Sequence, residues 1–327
     1  MPRVREEWLA LTIEEPVDPG APICDAHHHL LSEGYSIDDF LRDIAGGHNI
    51  ESTVHVESDD THYRTSGPEA LRPVGETEYV LAQAESRGAA KTEVAAAVVG
   101  FADLTLGSSV DQVLEAHIEA SRGRFRGVRQ SKTWHDSPDL ISWATEPKPL
   151  SNRRFREGLQ FLEGHGLSFD AWVFHTQLEE VADLAAALPE LTIILNHIGG
   201  PLGVGPYAGR REEVHEEWKR GIAGLAPFPN VVVKLGGLGM PMCGFPWRKA
   251  PVPPSSTELA EGMAPYYLWC IDQLTADRCM FESNFPADKV SSSYTVLWNA
   301  FKHMIAGLSD EARTSLLHGT AARVYRL

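Results

Sequence analysis

Short apolar segments alternate with helix-like segments along the whole chain, and this alternation constrains the fold more than any other feature. The apolar segments are near-continuous and several are rich in Val and Ile, which is typical of parallel strands covered on both faces. They span residues 22–27, 52–58, 93–100, 125–131, 167–174, 191–197, 231–237 and 278–283. Eight such repeats predict an α/β fold, a (β/α)₈ TIM barrel, rather than an open doubly wound sheet.

The segments between the predicted strands have the length and apolar spacing of helices. They cover residues 36–45, 75–87, 108–121, 152–164, 177–188, 211–226, 257–275 and 293–306. Ser36 and Asp39 resemble a capping box at the start of the first helix. We expect residues 22–327 to form the barrel and residues 1–21 to form a short N-terminal extension.

Charge and composition narrow the classes of partner. The chain has 29 basic and 45 acidic side chains, a formal net charge of −16, which argues against nucleic-acid and membrane partners because both need a basic surface. The four cysteines form no CxxC pair, and the first twenty residues lack the apolar core of a signal peptide. We therefore expect a cytoplasmic protein that acts on a small molecule. Homo-oligomerisation stays open.

A Gly- and Pro-rich loop of residues 237–254 follows the seventh predicted strand. Loops of this length inside a compact domain are commonly lids or binding loops, and in a barrel a loop after a strand lies on the catalytic face. Trp247 and Phe245 could therefore cover a substrate. The alternative is a subunit contact or an inert surface loop.

The sequence DAHHHL, residues 25–30, is the most specific chemical feature of the chain. His27 and His29 are two apart on the first predicted strand, so their side chains point to the same side, whereas His28 points away into the strand–helix layer. Two neighbouring imidazoles at the end of a strand are a natural start for a divalent metal site.

Two further histidines fall at predicted strand ends, where barrel enzymes carry their chemistry. His175 closes the fifth segment and His197 closes the sixth. The predicted metal ligands are therefore His27, His29, His175 and His197. His55 lies within the second strand, where a packing role is the better interpretation.

The eighth predicted strand leads into FESNFPADK, residues 281–289. A carboxylate is expected here to take a proton from the attacking water. Asn284 lies at the end of this strand and is a candidate catalytic residue, but its amide has no ionisable group that could accept the proton. Asp288 and Glu282 are the alternatives, and we favour Asp288, although it could instead cap a helix and Glu282 could pair with a structural Arg or Lys.

Residues near the fourth and second strands could bind the substrate. Arg129 and Lys132 could hold a substrate carboxylate, unless Arg129 pairs with a carboxylate of the barrel. Glu57 could orient a histidine or form a structural ion pair. Trp134 and Trp172 could line an aromatic pocket, although packing in the core is the commoner role.

The motifs DAHHHL, NHIGGP, FESNFPADK and HGTAARVYRL together resemble the amidohydrolase-related family of metal-dependent barrel hydrolases. The resemblance covers essentially residues 22–327. It is strongest to the branch that contains 2-pyrone-4,6-dicarboxylate lactonase and sugar-lactone hydrolases. It implies hydrolysis of a lactone or a related cyclic ester or amide of a small, carboxylated substrate.

The resemblance also implies a centre formed by His27, His29, His197 and an acid of strand eight. Two positions depart from the family pattern: Asn284 stands where many relatives have Asp, and Asn196 precedes His197 in place of Asp. Some lactonases of this branch work without metal, in which case the histidines would bind the substrate or water directly.

In the leading hypothesis a divalent ion, Zn²⁺ by default or Mn²⁺, activates a water molecule. Asp288 takes the proton of that water. A histidine that does not bind the metal, for which His197 is a candidate, stabilises the oxyanion. Two alternatives remain. One is a metal-dependent non-oxidative decarboxylase of an aromatic or muconate-type acid. The other is a barrel that only binds a ligand, which Asn284 keeps open.

Overall fold

A computed structural model describes residues 4–31, 34–58, 61–86 and 91–327. Its eight strands form one sheet in chain order, and every neighbouring pair is parallel. The strands are β1 Pro22–His28, β2 Asn49–Val56, β3 Glu93–Gly100, β4 Phe125–Arg129, β5 Ser168–Ala171, β6 Ile193–Leu195, β7 Val231–Leu235 and β8 Cys279–Phe281.

The sheet closes between its first and last strands. The backbone N–H of Asn284 donates to the carbonyl of His27 (2.9 Å), and the N–H of His29 donates to the carbonyl of Phe285 (2.8 Å). These bonds join β1 to the segment that follows β8. The predicted (β/α)₈ barrel is thereby confirmed.

The α-helices in the described part of the chain are α1 Glu6–Leu9, α2 Ile37–Ile44, α3 Val74–Ser86, α4 Asp111–Ala120, α5 Arg153–Gly164, α6 Leu178–Ala187, α7 Arg211–Leu225, α8 Ser256–Leu274, α9 Tyr294–Ile305, α10 Asp310–Thr314 and α11 Thr320–Tyr325. Eight of them correspond to the predicted helices. The capping box is also present, since Ser36 and Asp39 each accept the backbone N–H of the other. The short helices α1, α10 and α11 have no counterpart in the sequence prediction.

Six predicted strands, the second and the fourth to eighth, extend past the observed strand ends, and for two of them this changes where a histidine lies. Strand β5 ends at Ala171 and β6 at Leu195, so His175 and His197 lie in the turns that follow. In the turn after β6, both His197 and Ile198 adopt left-handed backbone angles, with φ of +53° and +50°, which no strand can contain. Near-continuous apolar character therefore overestimates strand length where a buried turn follows.

Strand β1 contains a bulge that sets the direction of its histidines. Asp25 pairs with Thr53 and His28 with His55, so three steps on β1 match two steps on β2. The extra residue shifts the alternation of side chains. His27 therefore contacts residues of the barrel interior, whereas His28 packs outward against Phe40 of α2, with ring centroids 4.0 Å apart.

The lower barrel interior is apolar. Its buried side chains are Cys24, Ala26, Val54, Val56, Ala97, Val99, Ile194, Val232 and Met280, joined by Ala321 and Tyr325 of α11. Arg126 of β4 donates through Nε to the carbonyl of Tyr325 (2.6 Å), which anchors α11 beneath the barrel. The upper interior is left for polar groups.

The N-terminal residues pack on the loop after β7 and on α9. Trp8 donates to the carbonyl of Ala250 (3.0 Å), Thr12 to that of Pro253 (2.8 Å), and the N–H of Val17 to Asn299 (2.8 Å).

Across the described residues, none of the helices combines the length and apolar character needed to cross a bilayer.

Candidate active site

Three side chains from separate strands converge at the carboxyl edge of the barrel. His27 lies in β1, His197 follows β6, and Glu282 follows β8; each is buried, and one ligand atom from each lies within 4.8 Å of the others. Glu282 accepts the ring Nδ1–H of His197 (2.6 Å) and its backbone N–H (3.2 Å). The other carboxylate oxygen of Glu282 lies 2.8 Å from Nδ1 of His27.

His29 extends this group on the same face of β1. Its Nδ1 donates to the carbonyl of Val56 (2.8 Å), which leaves the lone pair on Nε2, 3.2 Å from Nε2 of His27. Burial lowers the pKa of both imidazoles well below the usual value, so both rings are neutral at pH 7.

Two cations flank His27. The guanidinium Nη1 of Arg129 lies 3.3 Å from Nε2 of His27, and Nζ of Lys234 lies 3.3 Å from its Nδ1. Arg129 pairs with Glu57 (2.6 Å) and Lys234 pairs with Asp170 (2.7 Å). The nearby positive charges add to burial in lowering the pKa of His27.

Close approach of the backbone after β7 makes room for the acid and the histidine. A Cβ added to Gly236 would overlap Cγ of Glu282, and one added to Gly237, whose φ is +81°, would overlap the side chain of His197. Only glycine permits both the packing and the positive φ. The sequence Lys-Leu-Gly-Gly thus shapes the site as directly as the ligands do.

Asp288 lies beside this glycine segment. Its Oδ2 accepts the N–H of Gly237 (2.9 Å), whereas its buried Oδ1 has no hydrogen-bond partner among the described residues. Burial raises the pKa of Asp288 well above the usual value, and the charge of Glu282 raises it further. Asn284 has φ of +53°, and its carbonyl accepts the backbone N–H of Asp288 (3.1 Å).

The donor set fits a divalent metal. The carboxylate oxygen of Glu282 that faces His27 accepts no hydrogen bond, although the two atoms are only 2.8 Å apart and fully buried. A buried carboxylate oxygen without a donor, next to a neutral imidazole nitrogen, is stabilised by a cation. Two imidazoles and one carboxylate are a usual ligand set for Zn²⁺.

His175, one of the predicted metal ligands, lies in other surroundings. Its Nδ1 accepts the N–H of Leu202 (3.4 Å), and its ring packs edge-on against Tyr207. The carboxylate nearest to its Nε2 is that of Glu217, at 4.0 Å. Burial lowers the pKa of His175 to about 4. The structure therefore places His175 against the loop after β6, outside the group of His27, His197 and Glu282.

The predicted substrate-binding residues are placed differently from one another. Arg129 and Glu57 lie at the cluster but bind each other. The ammonium of Lys132 lies 4.6 Å from the centroid of the Phe155 ring in α5. Trp134 is half-buried, and Trp247 stacks on Phe245 with centroids 4.1 Å apart.

Asp170 and Lys234 are polar residues of the site that the sequence analysis missed. Asp170 accepts hydrogen bonds from Lys234 (2.7 Å), Asn196 (2.9 Å) and Tyr325 (3.2 Å). Asn196 therefore binds Asp170 through its side chain rather than His197. The sequence did contain a signal for them, namely a charged residue inside an apolar strand: Asp in SFDA and Lys in VVVKL. Because burial of an unpaired charge is costly, each of these residues needs a charged or polar partner inside the barrel.

A second polar group, which we name the outer cluster, lies outside the barrel and consists of His28, His55 and Glu76. Nε2 of His28 lies 2.9 Å from Oγ1 of Thr53, and Nε2 of His55 lies 3.5 Å from Glu76. Glu76 accepts the backbone N–H of Ser58 (2.9 Å). His55 thus packs in the strand–helix layer.

A closed parallel barrel with buried imidazoles and a carboxylate at its carboxyl edge is the architecture of a barrel enzyme. The family model described as Amidohydrolase matches residues 24–327. The chain therefore belongs to the amidohydrolase family, and it is an enzyme of that hydrolytic superfamily.

Similar proteins agree with this assignment. The uncharacterized protein y4mH of Sinorhizobium fredii is 33% identical over 306 residues, covering 94% of this chain and 90% of that protein. An L-fucono-1,5-lactonase of Burkholderia ambifaria is 27% identical over 291 residues, covering 82% and 88%. The fold matches a zinc-bound amidohydrolase of Burkholderia multivorans with a TM-score of 0.72 at 23% identity, covering 94% of this chain and 100% of that one.

Proposed function

We propose that this chain is a lactonase, a hydrolase that opens a lactone or a related cyclic ester of a small organic molecule with an activated water. The observation that carries the proposal is the convergence of His27, His197 and Glu282 at the mouth of the barrel. Family membership and the similarity to an L-fucono-1,5-lactonase support the same reaction class.

His27, His197 and Glu282 would hold the divalent metal, for which Zn²⁺ is the first choice. When bound there, the ion would polarise the ester carbonyl and lower the pKa of a water toward ~7. Lys234 and Asp170 keep His27 oriented from below, and Glu282 orients His197 through its hydrogen bond. His29 offers a lone pair beside His27 and could serve as a further ligand.

Asp288 carries the proton in this proposal. Its buried Oδ1 has no other hydrogen bond to break, so the ionised carboxylate could take the proton of the attacking water. The same carboxyl then donates that proton to the leaving alkoxide. The backbone carbonyl of Asn284 accepts the backbone N–H of Asp288, so Asn284 acts as a positioning residue.

The test is a hydrolysis assay in solvent enriched in ¹⁸O, with a panel of lactones, cyclic amides and aromatic acids and with protein purified without added metal. Hydrolysis predicts one ¹⁸O atom in the opened product and zinc in the metal analysis. Release of CO₂ from an aromatic acid without ¹⁸O incorporation would instead establish a decarboxylase. Ligand binding without turnover of any compound would establish a binding protein.

A further inference from the structure

Two buried ion pairs present their positive ends to His27. Nη1 of Arg129, whose partner is Glu57, lies 3.3 Å from Nε2 of the imidazole. Nζ of Lys234, whose partner is Asp170, lies 3.3 Å from Nδ1 of the same ring. Among the described residues, His27 makes no hydrogen bond with Glu57 or with Asp170. Each pair is neutral as a whole, but its cation is the end that contacts the histidine.

The charge of Lys234 is fixed in place. Its side chain is fully buried, and its ammonium donates to Oδ2 of Asp170 (2.7 Å) and lies 5.4 Å from the centroid of the Tyr325 ring. Asp170 is held in turn by Asn196 (2.9 Å) and Tyr325 (3.2 Å). A charge that can neither swing away nor be screened by water acts more strongly on a neighbouring ion than an exposed charge does.

The three proposed metal ligands supply a single negative charge. His27 and His197 bind through neutral imidazole nitrogens, and Glu282 is the one carboxylate among them. A divalent ion bound there would keep part of its charge unmatched. Because metal–nitrogen distances are about 2.0–2.1 Å, an ion on either ring nitrogen of His27 would be repelled by the ammonium that contacts the same ring.

Two effects of Lys234 on metal binding oppose each other. The usual outer partner of a metal-binding histidine is an acceptor that makes the imidazole a better ligand, and its loss costs roughly 10–100-fold in affinity. An ammonium is a donor, so it draws electron density from the ring and repels the ion. Its contact with His27 is longer than the usual range of about 2.7–3.2 Å, whereas repulsion falls only slowly with distance. Repulsion should therefore outweigh orientation.

We infer that the buried ammonium of Lys234 weakens the binding of a divalent ion at the candidate metal site, and that Asp170 offsets part of this effect. The inference rests on the metal site of the proposed function and adds which of the chain's other residues controls its affinity. It gives Lys234 a second role, opposite in sign to the orientation of His27.

The test is the affinity of the full chain for Zn²⁺, measured by stripping the protein of metal and titrating it against a fluorescent zinc indicator. Lys234→Met replaces the ammonium with an uncharged chain and should lower Kd at least about 30-fold. Asp170→Asn keeps an acceptor but removes the offsetting charge, so Kd should rise at least about 10-fold. The double variant removes a neutral pair, and its Kd should lie between those of the parent and Lys234→Met.

Lys302→Met is the matched control. The ammonium of Lys302 in α9 is also buried and lies 3.0 Å from Nδ1 of a histidine, His48, which is not part of the candidate metal site. Its removal should leave Kd unchanged. Circular dichroism checks that each variant is folded. Where a single variant does not fold, the double variant decides, because it buries no unpaired charge.

The outcomes separate this inference from the proposed function. A folded Lys234→Met or double variant that binds zinc no more tightly than the parent would overturn the inference and leave the metal site standing. A parent that binds no zinc would overturn both. The predicted order of affinities without hydrolysis of any lactone would support the inference and overturn the lactonase proposal.

Discussion

The two faces of strand β1 use histidine in opposite ways. On the inner face His27 meets His29, Glu282, Arg129 and Lys234, so charged groups from several strands surround it. On the outer face His28 stacks on a phenylalanine, and the outer cluster has a single carboxylate and no Lys or Arg in contact among the described residues. Charge is therefore concentrated on the face that opens toward substrate.

Buried polar atoms without hydrogen-bond partners occur on both faces, but in different surroundings. In the outer cluster Nδ1 of His28, both ring nitrogens of His55 and Oε2 of Glu76 are buried without hydrogen-bond partners. On the inner face the carboxylates of Glu282 and Asp288 each have one such oxygen, but both ring nitrogens of His27 have polar atoms within 3.3 Å. We interpret the inner face as arranged for chemistry and the outer cluster as packing between the strands and helices. The first of the following predictions compares the two faces directly, and the other two test in turn the inner site and the strand–helix layer.

The largest expected effect comes from one substitution made on each face. Glu282→Gln removes the negative charge that orients His197 and faces His27, so kcat should fall about 10³-fold. Glu76→Gln makes the same chemical change in the outer cluster and should leave kcat within about 3-fold, because its oxygen can still accept the N–H of Ser58. Steady-state kinetics on a hydrolysed lactone measure both. Comparable losses of kcat in the two variants would show that the two faces do not differ in their role in catalysis.

A smaller effect is expected at the glycine behind Glu282. In Gly236→Ala the new methyl group would overlap Glu282, so the carboxylate must move, with a loss of about 100-fold in kcat and about 1–3 kcal/mol in the free energy of unfolding. Gly224→Ala in α7 is the control. Open space surrounds that position, and alanine there should stabilise the helix by about 1 kcal/mol. Urea denaturation and kinetics report the two quantities, and an active, stable Gly236→Ala would show that the contact is not limiting.

The smallest effect concerns pH and a histidine of the strand–helix layer. His117 of α4 stacks on Phe125, and burial lowers its pKa to about 4. Between pH 6.5 and 4 the unfolded chain therefore binds more protons at this residue than the folded chain, so the stabilisation is complete above pH 6.5 and is lost on acidification. Between pH 7 and 5 this residue should account for about 2 kcal/mol of lost unfolding free energy.

Urea denaturation of His117→Gln at both pH values measures that contribution, and the variant should lose about 2 kcal/mol less than the parent. His303→Gln, at an exposed position of α9, is the matched control and should follow the parent. Equal losses for His117→Gln and the parent would place the pH dependence elsewhere.

Local patterns were sufficient for the barrel and for part of the site. The eight strands are recognisable because each is a short apolar segment, and the side of His27 and His29 follows from the two-residue period of a strand. Spacing could not rank Glu282 against Asp288, since both lie near the same strand end. Only the position of His197, 85 residues earlier in the chain, brings Glu282 into contact with an imidazole.

The sequence by itself determined the alternation of strands and helices and which residue types could do chemistry. Tertiary structure decided which of them meet. It brought Glu282 to His27 and His197, placed His175 outside that group of three, and paired Arg129 with Glu57. The physical reason is that periodicity is a property of neighbouring residues, whereas a metal site and an ion pair depend on distances across a closed barrel. Those distances follow from strand register, from the bulge in β1 and from the space left by Gly236 and Gly237.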